Sequence, residues 1–230
     1  MAGVRQQVIS VPSMAVNAFI VRGQRPIIVD TGIPGYEDKI LKAMDEKGIK
    51  PADISLILIT HGHHDHYGSA VALKKKTGAP IAIHKSDSEP LKTGVNPALI
   101  PIGATGKIMV GLSKMIKMNA TNGIDADILI EGEMDLTPFG IAGRVVPTPG
   151  HTRGSVSIFL DGGCALIGDL IFGGFVRKHA PGFPYFGYDS QEIYRSIQKV
   201  LDFNPKIIYA GHGGPFTAES VRRRFINKDW

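Results

Sequence analysis

An almost unbroken apolar run over residues 54–59 leads directly into Thr60-His61-Gly62-His63-His64-Asp65-His66, and this junction constrains the chain more than any other feature. A run of that length reads as a buried strand, and the segment that follows reads as a helix, so the histidines occupy a loop at a strand's end. If His61 and His63 stay extended, the two-residue period of a strand sends both rings to one side, and the next turn can bring Asp65 and His66 to a neighbouring point. Four donors then converge from six residues. Imidazole and carboxylate together suit zinc, iron or manganese. A lone histidine is more often a satisfied hydrogen-bonding residue; four so close together weaken that reading.

Three further segments carry the same residue types beside expected strands: Pro149-Gly150-His151-Thr152, Ile167-Gly168-Asp169-Leu170 and Ala210-Gly211-His212-Gly213-Gly214. A glycine adjoins each of His151, Asp169 and His212, which lets the backbone turn sharply and approach closely where a side chain must reach a shared centre. Glycine is abundant throughout, at 28 of 230 residues against roughly 7% in an average protein. Function is therefore expected in sharp loops between strands.

The rest of the pattern alternates strands and helices. Strands are expected over residues 7–11, 15–21 and 26–30, then 81–83, 127–130, 141–146, 156–160, 164–167 and 207–210, with Asp161-Gly162-Gly163 as a hairpin-like turn. Helical spacing marks Ile40, Leu41 and Met44, and helices are expected over 67–76, 191–201 and 217–225. Residues 85–122 mix proline and glycine with Leu112, Met115, Ile116 and Met118, and read as a partly helical, cap-like insert in a single domain spanning 1–230. Cys164 has no cysteine to pair with, and no signal-like start is seen, so a reducing, cytoplasmic setting is expected. The most membrane-like stretch, 95–118, is broken by Pro97, Pro101, Lys107, Lys114 and Lys117 and should not span a bilayer. The net charge of +5 is scattered; its two short clusters, at 74–76 and 222–224, read as solvated helix faces, so nucleic acid is not the expected partner. A small-molecule substrate is, and a homo-oligomer is compatible with the sequence.

The ordered set His61-x-His63-x-Asp65-His66, His151, Asp169 and His212 resembles the metallo-β-lactamase superfamily over nearly the whole chain. The resemblance implies an α/β (α+β) fold, a four-layer αββα sandwich with its active site at one edge of the sheets. It also implies two divalent metal ions, zinc before iron or manganese: His61, His63 and His151 on one, Asp65, His66 and His212 on the other, and Asp169 between them. An Asp at position 169 is similar to the glyoxalase II type, whereas many zinc β-lactamases carry Cys there. The chain lacks room for the helical glutathione-binding part of glyoxalase II. Lactonases with this ligand set often place a Tyr where Phe172 stands, so a lactonase would need another oxyanion donor.

The implied activity is hydrolysis of an ester, thioester or lactone-type bond, with Asp65 also passing a proton to the leaving group. Asp30 resembles the acid that orients a ligating histidine through its other ring nitrogen, although an Asx-type turn would explain it without a metal. Between residues 172 and 188, aromatics and cations mix as in a substrate-binding loop, and Phe172, Arg177, Lys178 and Tyr185 are the candidates; packing against the core would explain them equally. His64 is expected to be an exposed loop residue, His84 a strand-end residue near the site, and His179 a loop residue. The rival readings are a ribonuclease Z-like nuclease, an iron-dependent oxygenase or redox protein, and a non-catalytic binding protein on the same fold.

Overall fold

The computed structural model describes residues 7–13, 16–113, 121–174 and 178–226. The chain opens with β1 (Gln7–Pro12), β2 (Asn17–Arg22) and β3 (Ile27–Val29), an antiparallel meander. Then follow α1 (Glu37–Asp45), β4 (Leu56–Leu58), α2 (His64–Tyr67), α3 (Ala70–Thr77), β5 (Ile81–His84), α4 (Ser88–Thr93), α5 (Gly103–Ser113) and β6 (Ile128–Ile130). The second half contains β7 (Met134–Asp135), β8 (Gly143–Pro147), β9 (Val156–Leu160), β10 (Cys164–Leu166), β11 (Phe172–Gly173), β12 (Pro181–Gly182), α6 (Ser190–Asp202), β13 (Ile207–Tyr209), β14 (Phe216–Thr217) and α7 (Ala218–Phe225). One six-stranded sheet has the order β1-β2-β3-β4-β5-β6, and the other β14-β13-β10-β9-β8-β7.

The layering follows from strands that are apolar on both faces. Along β3 and β4, Ile27, Val29, Leu56 and Leu58 face one way and pack with Val145, Ile158 and Leu166 of the second sheet. Their neighbours Ile28 and Ile57 face the other way and meet Ile40, Met44 and Leu73 of α1 and α3. The second sheet repeats the arrangement, with Val146, Phe159, Ala165 and Ile208 against Ile193, Ile197 and Val200 of α6 and Val221 and Phe225 of α7. A strand with two apolar faces needs cover on both, so helix, sheet, sheet and helix stack in the expected αββα order. The buried residues of α6 recur at helical spacing, and Asp189 caps it by accepting from the Gln191 and Glu192 amides at 2.8 and 3.0 Å, a cap worth ~1 kcal/mol.

One helix differs from expectation. The segment 67–76 is split, because Ser69 is drawn into the turn after β3: its hydroxyl donates to the Ile33 carbonyl and accepts from the Tyr36 amide, and its own amide donates to Thr31. Of the insert residues, Leu112 lies on α5, while Met115, Ile116 and Met118 fall outside the described residues.

Topology places the site. Strands β3 and β4 are parallel, β10 and β13 are parallel, and β8 runs with β10 because β9 is antiparallel to both. Asp30, His61, His151, Asp169 and His212 each follow the carboxyl end of one of these strands. The two sheets are tied together at this edge by main-chain bonds from Val156 to Thr60 and from Asn17 to Gly211.

Candidate metal centre

The seven residues meet in two adjoining groups. Ligating atoms of His61, His63, His151 and Asp169 lie within 4.8 Å of one another, as do those of Asp65, His66 and His212. Asp169 spans both groups: its Oδ2 is 3.5 Å from His151 Nε2 and 3.2 Å from His212 Nε2, and its Oδ1 is 3.3 Å from His66 Nε2. Gly211 makes this approach feasible, since a Cβ there would lie 2.3 Å from Asp169 Oδ1 and 2.6 Å from the His66 ring.

Partners on the far side of two rings, those of His66 and His151, decide which nitrogen faces the centre. His66 Nδ1 lies 2.8 Å from Asp30, whose carboxylate also accepts from the Thr60 amide and hydroxyl, so Nε2 is turned inward. Asp30 reaches all three from a left-handed backbone conformation, φ 58°, which Asp tolerates better than most residues. His151 donates Nδ1–H to the Phe186 carbonyl at 2.8 Å, an assignment that follows from the bond itself. Its Nε2 then presents a lone pair 2.9 Å from His63 Nδ1, which is also 3.1 Å from His61 Nε2. With His63 Nδ1 deprotonated, three lone pairs would converge on one point, an arrangement that a cation among them would stabilise. Among the described residues, His66 Nε2 and Asp169 Oδ1 are buried without a hydrogen-bond partner, which likewise fits a cation between them. The donor set therefore suits two divalent ions.

The electrostatics separate the groups. Burial holds His63 and His151 down at about 4, and lowers His61 as well. Burial acts the same way on His66 and His212, but there the carboxylates win. Asp169, Asp30 and Asp65 raise His66, and Asp169 and Asp65 push His212 up to about 10. Asp65 and Asp169 stay well below the usual carboxylate range, because the His66 and His212 charges outweigh burial.

A cleft of about 740 Å³ is lined by His63 of the first group, Asp65 and His212 of the second, and the shared Asp169. Phe172, Lys178 and Tyr185 line it, with His179, Ile33, and Asn96, Leu99 and Met109 of the insert. Arg177 lies outside the described residues. Phe172 packs at 4.6 Å from the His212 ring and 5.6 Å from Tyr185, between centroids. His64 corrects its expectation: it is buried at 2% exposure on α2, with its amide held by Asn96 Oδ1 and its ring 5.7 Å from Tyr67. The insert covers it, which a local reading cannot foresee. His84 is half-buried at the end of β5, accepts from the Ser86 amide, and does not line the cleft. Sequence reasoning also missed Asp87, Asn96 and the Phe186 carbonyl. Among the described residues, no helix is long and apolar enough to cross a membrane.

The comparisons with known proteins bear on the family and the fold. A family model for the metallo-beta-lactamase superfamily matches residues 12–212. A probable metallo-hydrolase of Bacillus subtilis, YflN, is 27% identical over 209 residues, covering 85% of this chain and 78% of its own. Among solved structures, the BLEG-1 B3 metallo-β-lactamase superposes with a TM-score of 0.72 at 23% identity, over 96% of this chain and 98% of that one. TTHA1623, in a di-iron-bound form, superposes at 0.66 with 24% identity, over 95% and 98%. At such identities the structures speak for the fold, while the family match spans most of the sequence: the chain belongs to the metallo-β-lactamase superfamily.

Proposed function

We propose that this protein is a hydrolase of ester, thioester or lactone-type bonds, using two divalent ions held by His61, His63 and His151 on one side and Asp65, His66 and His212 on the other, with Asp169 shared. One observation carries the reading: the Asp169 carboxylate, 4% exposed, stands within 3.5 Å of histidine nitrogens from both groups. Zinc suits this nitrogen and oxygen set, and iron and manganese suit it too; TTHA1623 is a relative in fold described with two irons. When bound, such a pair lowers the pKa of a shared water toward neutrality and polarises a substrate carbonyl.

The protein's own groups have separate tasks. Asp30 and the Phe186 carbonyl fix the rings of His66 and His151. Asp65, with 29% of its side chain exposed, faces the cleft and can hand a proton to the leaving group. Lys178 can pair with an anionic part of the substrate, and Phe172 and Tyr185 give it an apolar and aromatic wall. Tyr185 also offers a hydroxyl where Phe172 has none. Residues 85–122 act as a cap on one domain spanning 1–230, as Asn96, Leu99 and Met109 on the cleft wall support. The single cysteine suits a reducing, cytoplasmic setting.

Metal analysis of the purified protein, followed by an ester, thioester and lactone screen with zinc, manganese and iron, tests the reading. The expected result is two ions per chain and turnover abolished by chelation. Asp65→Asn, which keeps a ligand oxygen but cannot carry the proton, should lower kcat more than metal content. A protein that binds no metal, or hydrolyses none of these bonds, overturns the proposal.

A further inference from the structure

Asp87 ends a short 3-10 turn (Lys85–Asp87) just before α4, where its sequence position marks it as a helix cap. It does not act as one: no side-chain cap bond forms to α4. Its carboxylate, on a residue 5% exposed, turns the other way and accepts three bonds. Gly62 N–H donates to Oδ2 at 2.8 Å, Thr152 O–H to Oδ2 at 2.5 Å, and Gly154 N–H to Oδ1 at 2.8 Å. Gly62 lies between His61 and His63, and Thr152 follows His151.

The local sequence is adapted to this approach. A Cβ at Gly154 would fall 2.6 Å from the Asp87 Cγ, and one at Gly62 would fall 3.0 Å from the Asp87 carbonyl oxygen. Charge-assisted bonds to a buried carboxylate are roughly twice as strong as neutral ones, and losing an acceptor here would leave buried donors unpaired. In the second group it is Asp30, 2.8 Å from His66 Nδ1, that holds a ligand ring.

We infer that Asp87 is a positioning residue that braces the loops of His61, His63 and His151, so that the first group of ligands is assembled before a cation arrives. This rests on the ligand set proposed above. The carboxylate acts through the loops and touches neither substrate nor ligand ring. Its effect should therefore fall on one of the two groups.

Zinc affinity, measured by competition with a chromophoric chelator, tests this in two backgrounds. In His212→Ala only the first group remains complete, and in His151→Ala only the second. Adding Asp87→Asn should weaken zinc binding about 10- to 100-fold in the His212→Ala background, the usual worth of a partner beyond the ligand shell. In the His151→Ala background the change should stay within about twofold. Gly154→Ala, which displaces the carboxylate without altering it, should reproduce the asymmetry and serves if Asp87→Asn fails to fold. Equal losses in both backgrounds, or none in the first, overturn the inference while leaving the ligand set intact. Failure of the unsubstituted protein to bind zinc overturns both.

Discussion

His61, His63 and His151 are nearly closed off, at 0, 7 and 3% exposure, and the charges of Asp169 and, for His63, of Asp65 do not offset the burial of their rings. Asp65 and His212 stand 29 and 20% open to the cleft, and the group they form with His66 has three carboxylates at hand, Asp30, Asp65 and Asp169. Burial dominates the first group and keeps its rings neutral; negative charge dominates the second and draws protons onto His66 and His212. A cation entering the first group therefore finds vacant lone pairs, while one entering the second must displace protons. The two groups thus differ in burial and charge, although both reach the cleft, His63 from the first and Asp65 and His212 from the second.

The largest effect should come from removing what the two sides share. Asp169→Ala is expected to cost both ions and to reduce hydrolysis more than about 100-fold, beyond the range seen for partners outside the ligand shell. Metal analysis with turnover would measure it, and the loss of a single ion would show that the groups are independent.

The pH dependence of the chelator-stripped protein sharpens the contrast. His63 and His151, near 4 when folded against about 6.5 when unfolded, contribute stability above pH 6.5 that is lost as pH falls toward 4. His212, near 10 when folded, contributes below pH 6.5 and loses that contribution as pH rises toward 10. The Tm should therefore peak near pH 6.5 and fall on both sides, and zinc should flatten the alkaline limb by taking the place of the protons. A Tm level from pH 5 to 9 would contradict the assignment.

The smallest effect concerns the open side alone. Lys178 is exposed on the cleft, so Lys178→Glu should raise KM for an acidic substrate roughly two- to fivefold, the worth of one exposed ion pair, and leave metal content unchanged. An equal KM for acidic and neutral substrates would remove Lys178 from recognition.

The gathering of the seven residues was legible because each stands beside a glycine or in the His61–His66 run, at the end of an apolar strand. The four layers were legible for a related reason: runs such as Ile27-Ile28-Val29 leave no polar face to expose. What escaped depends on distant chain segments. Asp87 resembles an ordinary helix cap, and its true partners lie 25 to 67 residues away. His64 is buried with its amide held by Asn96, 32 residues on, and its ring against Tyr67. The break before α3 needed knowledge of where Ser69 would find Ile33.

His151 Nδ1 is held by a main-chain oxygen, the Phe186 carbonyl, and not by a side chain. A main-chain acceptor survives any replacement of its own side chain, so the wall around residues 185 and 186 is free to change chemistry over generations, or in a library, without disturbing the imidazole behind it. Only a rerouting of the loop would tilt that ring. New specificities should thus be reachable here by exchanging residues, and far less readily by inserting or deleting them.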